Sequence, residues 1–110
     1  MLSKKDLITF NKEFHEGKIV NESSLDFALD QAKRSKDWLK AMAYLVRAVA
    51  VDHVFEDGNK RTSALIILAI SEMQGMEMDK RKVDEIVVTL AKKSMKDITK
   101  IERLIKNAFR

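Results

Sequence analysis

The chain contains no cysteine, no proline and only three glycines in 110 residues. Without cysteine it can have neither a disulfide framework nor a thiolate metal site, so the fold must rest on a packed core, as expected of a cytosolic protein. Without proline nothing breaks a helix from within, and each glycine becomes a natural boundary. Long apolar runs are also missing. The longest, Ala64 to Ile70, is far too short to span a bilayer, and the charged start Met1-Leu2-Ser3-Lys4-Lys5-Asp6 lacks the apolar core of a secretory signal. No membrane role is expected.

What is present is charge. Charged residues make up 35% of the chain, against about 25% in an average globular domain. The formal net charge of +4 favours anionic partners such as nucleotides, acidic protein surfaces or nucleic acid. Much of the excess lies near the end, in Lys92, Lys93, Lys96, Lys100, Arg103, Lys106 and Arg110. It is spread over helical turns with Asp97 and Glu102 between, so it reads as a solvated helix face rather than a nucleic-acid surface.

The apolar residues follow helical spacing throughout, which predicts an all-α, single-domain bundle of about six helices over residues 1–110. Ser3 with Asp6 three positions on caps a first helix, with Leu7, Phe10 and Phe14 on one buried face up to Gly17. Ser23 or Ser24 caps a second, with Leu25, Ala28, Leu29 and Ala32 inward. Asp37 caps a third that reaches about His53, with Met42, Ala43, Val46, Val49 and Ala50 in its stripe. A fourth begins near Asn59 and carries Leu65, Ile66, Leu68, Ala69 and Met73. It is apolar nearly all round, as a central helix should be. Asp79 caps a fifth with Val83, Ile86, Val87 and Leu90, and a sixth from about Asp97 aligns Ile98, Ile101, Leu104, Ile105 and Ala108. Gly17 to Glu22 and Met76 to Met78 are candidates for extended chain. Met73, Met76 and Met78 read as core filling.

Chemistry concentrates between the third and fourth helices, in His53-Val54-Phe55-Glu56-Asp57-Gly58-Asn59-Lys60-Arg61. A buried helix starting at Asn59 presents unpaired N–H groups and the positive end of its dipole to an anion. Gly58 permits a tight turn and close approach, so Gly58 and Asn59 can aim several N–H groups at one phosphate. Lys60 and Arg61 oppose the dipole in the first turn unless an anion offsets them. Asp57 beside this cluster suits a phosphate-bound Mg²⁺, which takes one or two protein carboxylates. Glu56 reads as solvent-exposed. His53, as a neutral imidazole, can take the proton of an attacking hydroxyl. Phe55 reads as an anchor pinning the loop to the core.

These residues resemble the signature of the Fic/Doc enzymes, His-x-Phe-x-(Asp/Glu)-(Gly/Ala)-Asn-(Gly/Lys)-Arg, at His53, Phe55, Asp57, Gly58, Asn59, Lys60 and Arg61. The resemblance implies a helical bundle with the signature joining two central helices, ATP or another nucleoside triphosphate as donor, Mg²⁺, and a hydroxyl on a protein substrate as acceptor. It makes His53 the general base, Asp57 the metal ligand, Gly58, Asn59 and Arg61 the phosphate cradle, and Phe55 structural. Members that transfer AMP usually have glycine where Lys60 stands and a second arginine where Ala64 stands. Both departures, and the Asn59-Lys60-Arg61-Thr62 sequence, are similar to the Doc branch, which transfers the terminal phosphate. The resemblance also implies a target-clamping flap, matched in position by Gly17 to Glu22, with Ile19 and Val20 as its contacts. The family's built-in inhibitory helix is not reproduced, since Thr9-Phe10-Asn11-Lys12-Glu13-Phe14 ends in the wrong residue. An inhibitor would therefore be a separate protein, such as an antitoxin. The readings set beside phosphotransfer are AMP transfer by the same site and a non-enzymatic basic helical binding module.

Overall fold

The computed structural model describes residues 1–110 and is all-helical. Its helices are α1 (Lys4–Lys12), α2 (Glu22–Arg34), α3 (Trp38–Val46), α4 (Asn59–Met73), α5 (Lys80–Lys92) and α6 (Ile98–Lys106), with one π-helical turn, Arg47–Val51, directly after α3. No helix is long and apolar enough to cross a membrane.

Five of the six α-helices begin on a side-chain oxygen that accepts a backbone N–H: Ser3, Asn21, Asp37, Asp79 and Asp97. Ser3 and Asp6 form the expected reciprocal capping box. The cap of α2 differs from expectation: Asn21, not Ser23 or Ser24, accepts from the Ser24 N–H. Asn21 is held there from outside the helix, because its Nδ2 donates to the Asp52 carbonyl at 2.9 Å.

The core lies where α3 and α4 cross. α3 also packs on α2 and α6, and α4 on α1, α5 and the π turn. Leu39, Met42, Leu45, Val46, Val49 and Ala50 from the α3 side meet Ile66, Ile67 and Ile70 of α4, with Leu7, Leu25, Leu90, Ile101 and Ile105 closing the cluster. The burial of α4 is one-sided rather than all round. Leu65, Leu68 and Ala69 are half-buried and Met73 is exposed, whereas Thr62, Ser63 and Ser71 are buried. Of the three neighbouring methionines only Met78 is buried.

α1 stops at Lys12, earlier than the apolar spacing suggested. Leu7 is buried and Phe10 half-buried, but Phe14 lies past the helix end and is 37% exposed. Both candidate extended segments form a single antiparallel bridge rather than a strand, Ile19 with Phe55 and Met78 with Phe109. The first of these sets the geometry of the site.

Candidate active site

α3 does not run smoothly to His53. The Asp52 N–H donates to the Arg47 carbonyl at 3.1 Å, five residues back, so the last turn takes in one residue more than an α turn. Arg47 is fastened on the outside: its guanidinium stands 5.2 Å from the Tyr44 ring centroid and donates to the Lys96 carbonyl at 3.1 Å. His53 follows with φ at 51°, an uncommon left-handed conformation for a residue other than glycine. That kink ends the helix and leaves the imidazole exposed while Val54 and Phe55 turn inward and are buried.

The loop is braced by its own residues. The Asn59 side chain accepts from the Phe55 N–H at 3.0 Å and donates to the Phe55 carbonyl at 2.9 Å. This carboxamide is committed to the loop, so what Asn59 offers an anion is its backbone N–H. Gly58, at φ 74°, makes the turn into α4. A Cβ there would stand 3.2 Å from Asn11 Nδ2 and 3.3 Å from Phe14 Cβ, in a conformation that disfavours side chains anyway.

α4 alone among the α-helices starts without a side-chain cap. Its first backbone bond runs from the Thr62 N–H to the Gly58 carbonyl at 2.9 Å, so the N–H groups of Asn59, Lys60 and Arg61 have no protein partner. The Gly58 N–H is taken by Asp57 Oδ1 at 2.7 Å. These groups open into a cleft of about 520 Å³ lined by Phe14, His53, Glu56, Asp57, Gly58, Asn59, Lys60 and Arg61. The structure thus brings His53 and Asp57 together with Gly58, Asn59, Lys60 and Arg61. Phe55 sits beneath them in the core, and Glu56 pairs with Lys18 at 3.7 Å on the rim. None of the seven basic residues from Lys92 to Arg110 lines this cleft.

The donor set suits Mg²⁺. Asp57 is exposed at the cleft, and only its Oδ1 is engaged by the protein, which leaves an oxygen for a hard cation that fills its shell with water and phosphate.

The segment at Ile19 and Val20 lies against the loop. The Glu56 N–H donates to the Lys18 carbonyl at 2.9 Å and the Val20 N–H to the Val54 carbonyl at 2.8 Å. These bonds flank the Ile19–Phe55 pair, so it is the Ile19 N–H and carbonyl that face the open edge. The Ile19 side chain packs on the core and Val20 is exposed. The inner backbone edge at Val20 is therefore already used.

Sequence reasoning placed Thr62 in the motif but missed Asn11 and Phe14 as parts of the site. Asn11 carried a signal, since it is a polar residue four positions after Leu7 on the inward face of α1. Phe14 was misread as core.

The sequence model of the Fic/DOC family matches residues 8–71, which include the second half of α1, the Ile19 segment, α2, α3, the loop and most of α4. The chain belongs to the Fic/DOC family, whose members are typically transferases that modify proteins with groups taken from nucleotides. No curated protein and no solved structure matches it.

Proposed function

We propose that the chain is a Mg²⁺-dependent protein phosphotransferase of the Doc type, carrying the terminal phosphate of ATP or another nucleoside triphosphate to a hydroxyl of a protein substrate. The observation that carries this reading is the uncapped start of α4, whose free N–H groups open into the same cleft as His53 and Asp57.

His53 takes the proton of the attacking hydroxyl. The hydroxyl oxygen forms the new bond to the terminal phosphorus, the bond from that phosphorus to the bridging oxygen breaks, and the nucleoside diphosphate leaves with the electron pair. The N–H groups of Asn59, Lys60 and Arg61 and the side chains of Lys60 and Arg61 stabilise charge on the equatorial oxygens. The chemistry is mainly positioning and electrostatics. Asp57 would hold Mg²⁺, which when bound neutralises charge on the polyphosphate.

Two features favour terminal phosphate over AMP as the transferred group. Lys60 lines the cleft, and at Ala64 the groove beside Arg61 has no second arginine to grip further phosphates. The acceptor segment is proposed to add along Ile19, whose outward N–H and carbonyl can pair with an extended chain. Because Glu13 is exposed and does not line the cleft, inhibition is assigned to a separate protein, an antitoxin in the toxin–antitoxin arrangement.

The test is the fate of label from ATP carrying ³²P at either the γ or the α position. The reading predicts His53-dependent incorporation of γ label into protein and none of α label. Incorporation of α label would assign AMP transfer instead. Incorporation of neither, with salt-sensitive nucleic-acid binding indifferent to His53 and Asp57, would favour the binding module.

A further inference from the structure

Asn11 is completely buried on the inward face of α1, yet its carboxamide reaches three separate segments. Nδ2 donates to the Asp57 carbonyl at 2.8 Å and to Thr62 Oγ1 at 3.1 Å, while Oδ1 accepts from the Gly17 N–H at 2.8 Å. A buried amide is costly unless satisfied, and this one is satisfied by the anion turn, the first turn of α4 and the first residue of the Ile19 segment.

The bond to Asp57 has a consequence at the next atom. The Asp57 carbonyl and the Gly58 N–H belong to one planar trans peptide and point in opposite directions. Drawing the carbonyl inward to Asn11 turns the Gly58 N–H outward, toward the Asp57 carboxylate and the cleft. The same side chain fixes Gly17, from which the chain runs two residues to Ile19.

We infer that Asn11 is a positioning residue of the transfer site, holding the phosphate-binding turn and the root of the target-binding segment to one rigid helix so that the two substrates meet in register. The inference rests on the proposed function for its meaning in turnover, but the mechanical link can be tested without it. Occupancy of the turn stiffens Asn11 and, through it, Gly17. By linkage, nucleotide and target then assist each other's binding.

The experiment follows amide hydrogen exchange of the full chain, wild type and Asn11→Leu, with and without Mg-ATP. Asn11→Leu keeps the side chain's branching and heavy-atom count, adds bulk through its two methyl groups, and removes all three bonds. In the variant, exchange in the segments around Gly17 and around Gly58 to Thr62 is expected to accelerate together while the α3 core stays protected. In wild type, Mg-ATP is expected to slow exchange at Gly17 as well as at the turn. Protection of the turn alone would overturn the inference, and so would unchanged exchange in a folded variant. Should Asn11→Leu not fold, the wild-type comparison decides. Should wild type bind no Mg-ATP, the proposed function fails and the variant comparison still decides the link. In turnover, the variant is expected to raise KM for nucleotide and for target by roughly tenfold each, as loss of about one net hydrogen bond from each binding segment would do. The kcat should also fall, by less than in His53→Ala, because the base is untouched while the register of the two substrates is loosened. A fall in kcat alone would contradict the positioning role.

Discussion

The side chain of Asn59 holds both backbone groups of Phe55, donating to its carbonyl at 2.9 Å and accepting from its N–H at 3.0 Å. One residue at the start of α4 thereby closes the loop over the buried ring, and its side chain is a brace rather than a phosphate ligand. Asn59→Ala should lower unfolding free energy by about 1–3 kcal/mol, the range for two lost hydrogen bonds with a buried group left bare. Urea denaturation checks it. Asn59→Asp should recover only part of the loss, since it restores the acceptor and not the donor. Unchanged stability in Asn59→Ala would remove the brace.

Gly58 sits at φ 74°, with Asn11 and Phe14 at its back. Gly58→Ala is therefore expected to cost about 1–2 kcal/mol in backbone strain. It should also weaken phosphate binding by displacing the turn. Calorimetry with Mg-ATP beside a thermal melt separates the two effects, and an unchanged melt would show that the turn does not need glycine.

Proline tests the two edges of the Ile19 segment separately. Val20→Pro removes the bond to the Val54 carbonyl and should destabilise the loop by about 1 kcal/mol or more. Ile19→Pro removes an outward N–H together with the core packing of the Ile19 side chain, so it is read beside Ile19→Ala, which loses the packing alone. The two should melt at similar temperatures, with target modification lowered further by proline. Normal modification by folded Ile19→Pro would exclude strand addition at this edge.

Acid should loosen α1. Hydrogen bonds from the Ser3 backbone N–H and from its side chain hold Asp6 below its usual value of 3.8. A carboxylate lowered in the folded state contributes stability above its unfolded pKa and loses it as pH falls through the folded one. The Ser3 amide NMR shift should therefore titrate with a midpoint below 3.8, while the cap is intact above it. A midpoint at or above that value would contradict the capping box. The carboxylate is exposed, so the stabilisation should be small and reduced by salt.

Much of the fold was legible because its signals are local. Ser3, Asp37, Asp79 and Asp97 cap the helices they precede, since a cap needs only its own turn. The cap of α2 was not, because Asn21 is fixed by Asp52 and by the pairing of Lys18 and Val20 with the loop, contacts more than thirty residues away in sequence. Composition announced α4 as central but not which side faces in. Met73, on the same apolar helix, is 56% exposed. The residues around the cleft were readable as a group because they fall within nine positions. Asn11 and Phe14 join them only through the tertiary fold, and the π turn that delivers His53 leaves no mark in apolar periodicity.

The exposed imidazole of His53 makes the most direct test. His53→Ala should keep the wild-type melting temperature and cut turnover by roughly 10²-fold or more, the usual worth of a positioned base. Mass spectrometry of lysate proteins incubated with Mg-ATP and either form of the chain should show one added phosphate on a Ser, Thr or Tyr residue with wild type and its loss with His53→Ala. Equal modification by the two forms, or none by wild type across lysates in which Mg-ATP is bound, would contradict the account.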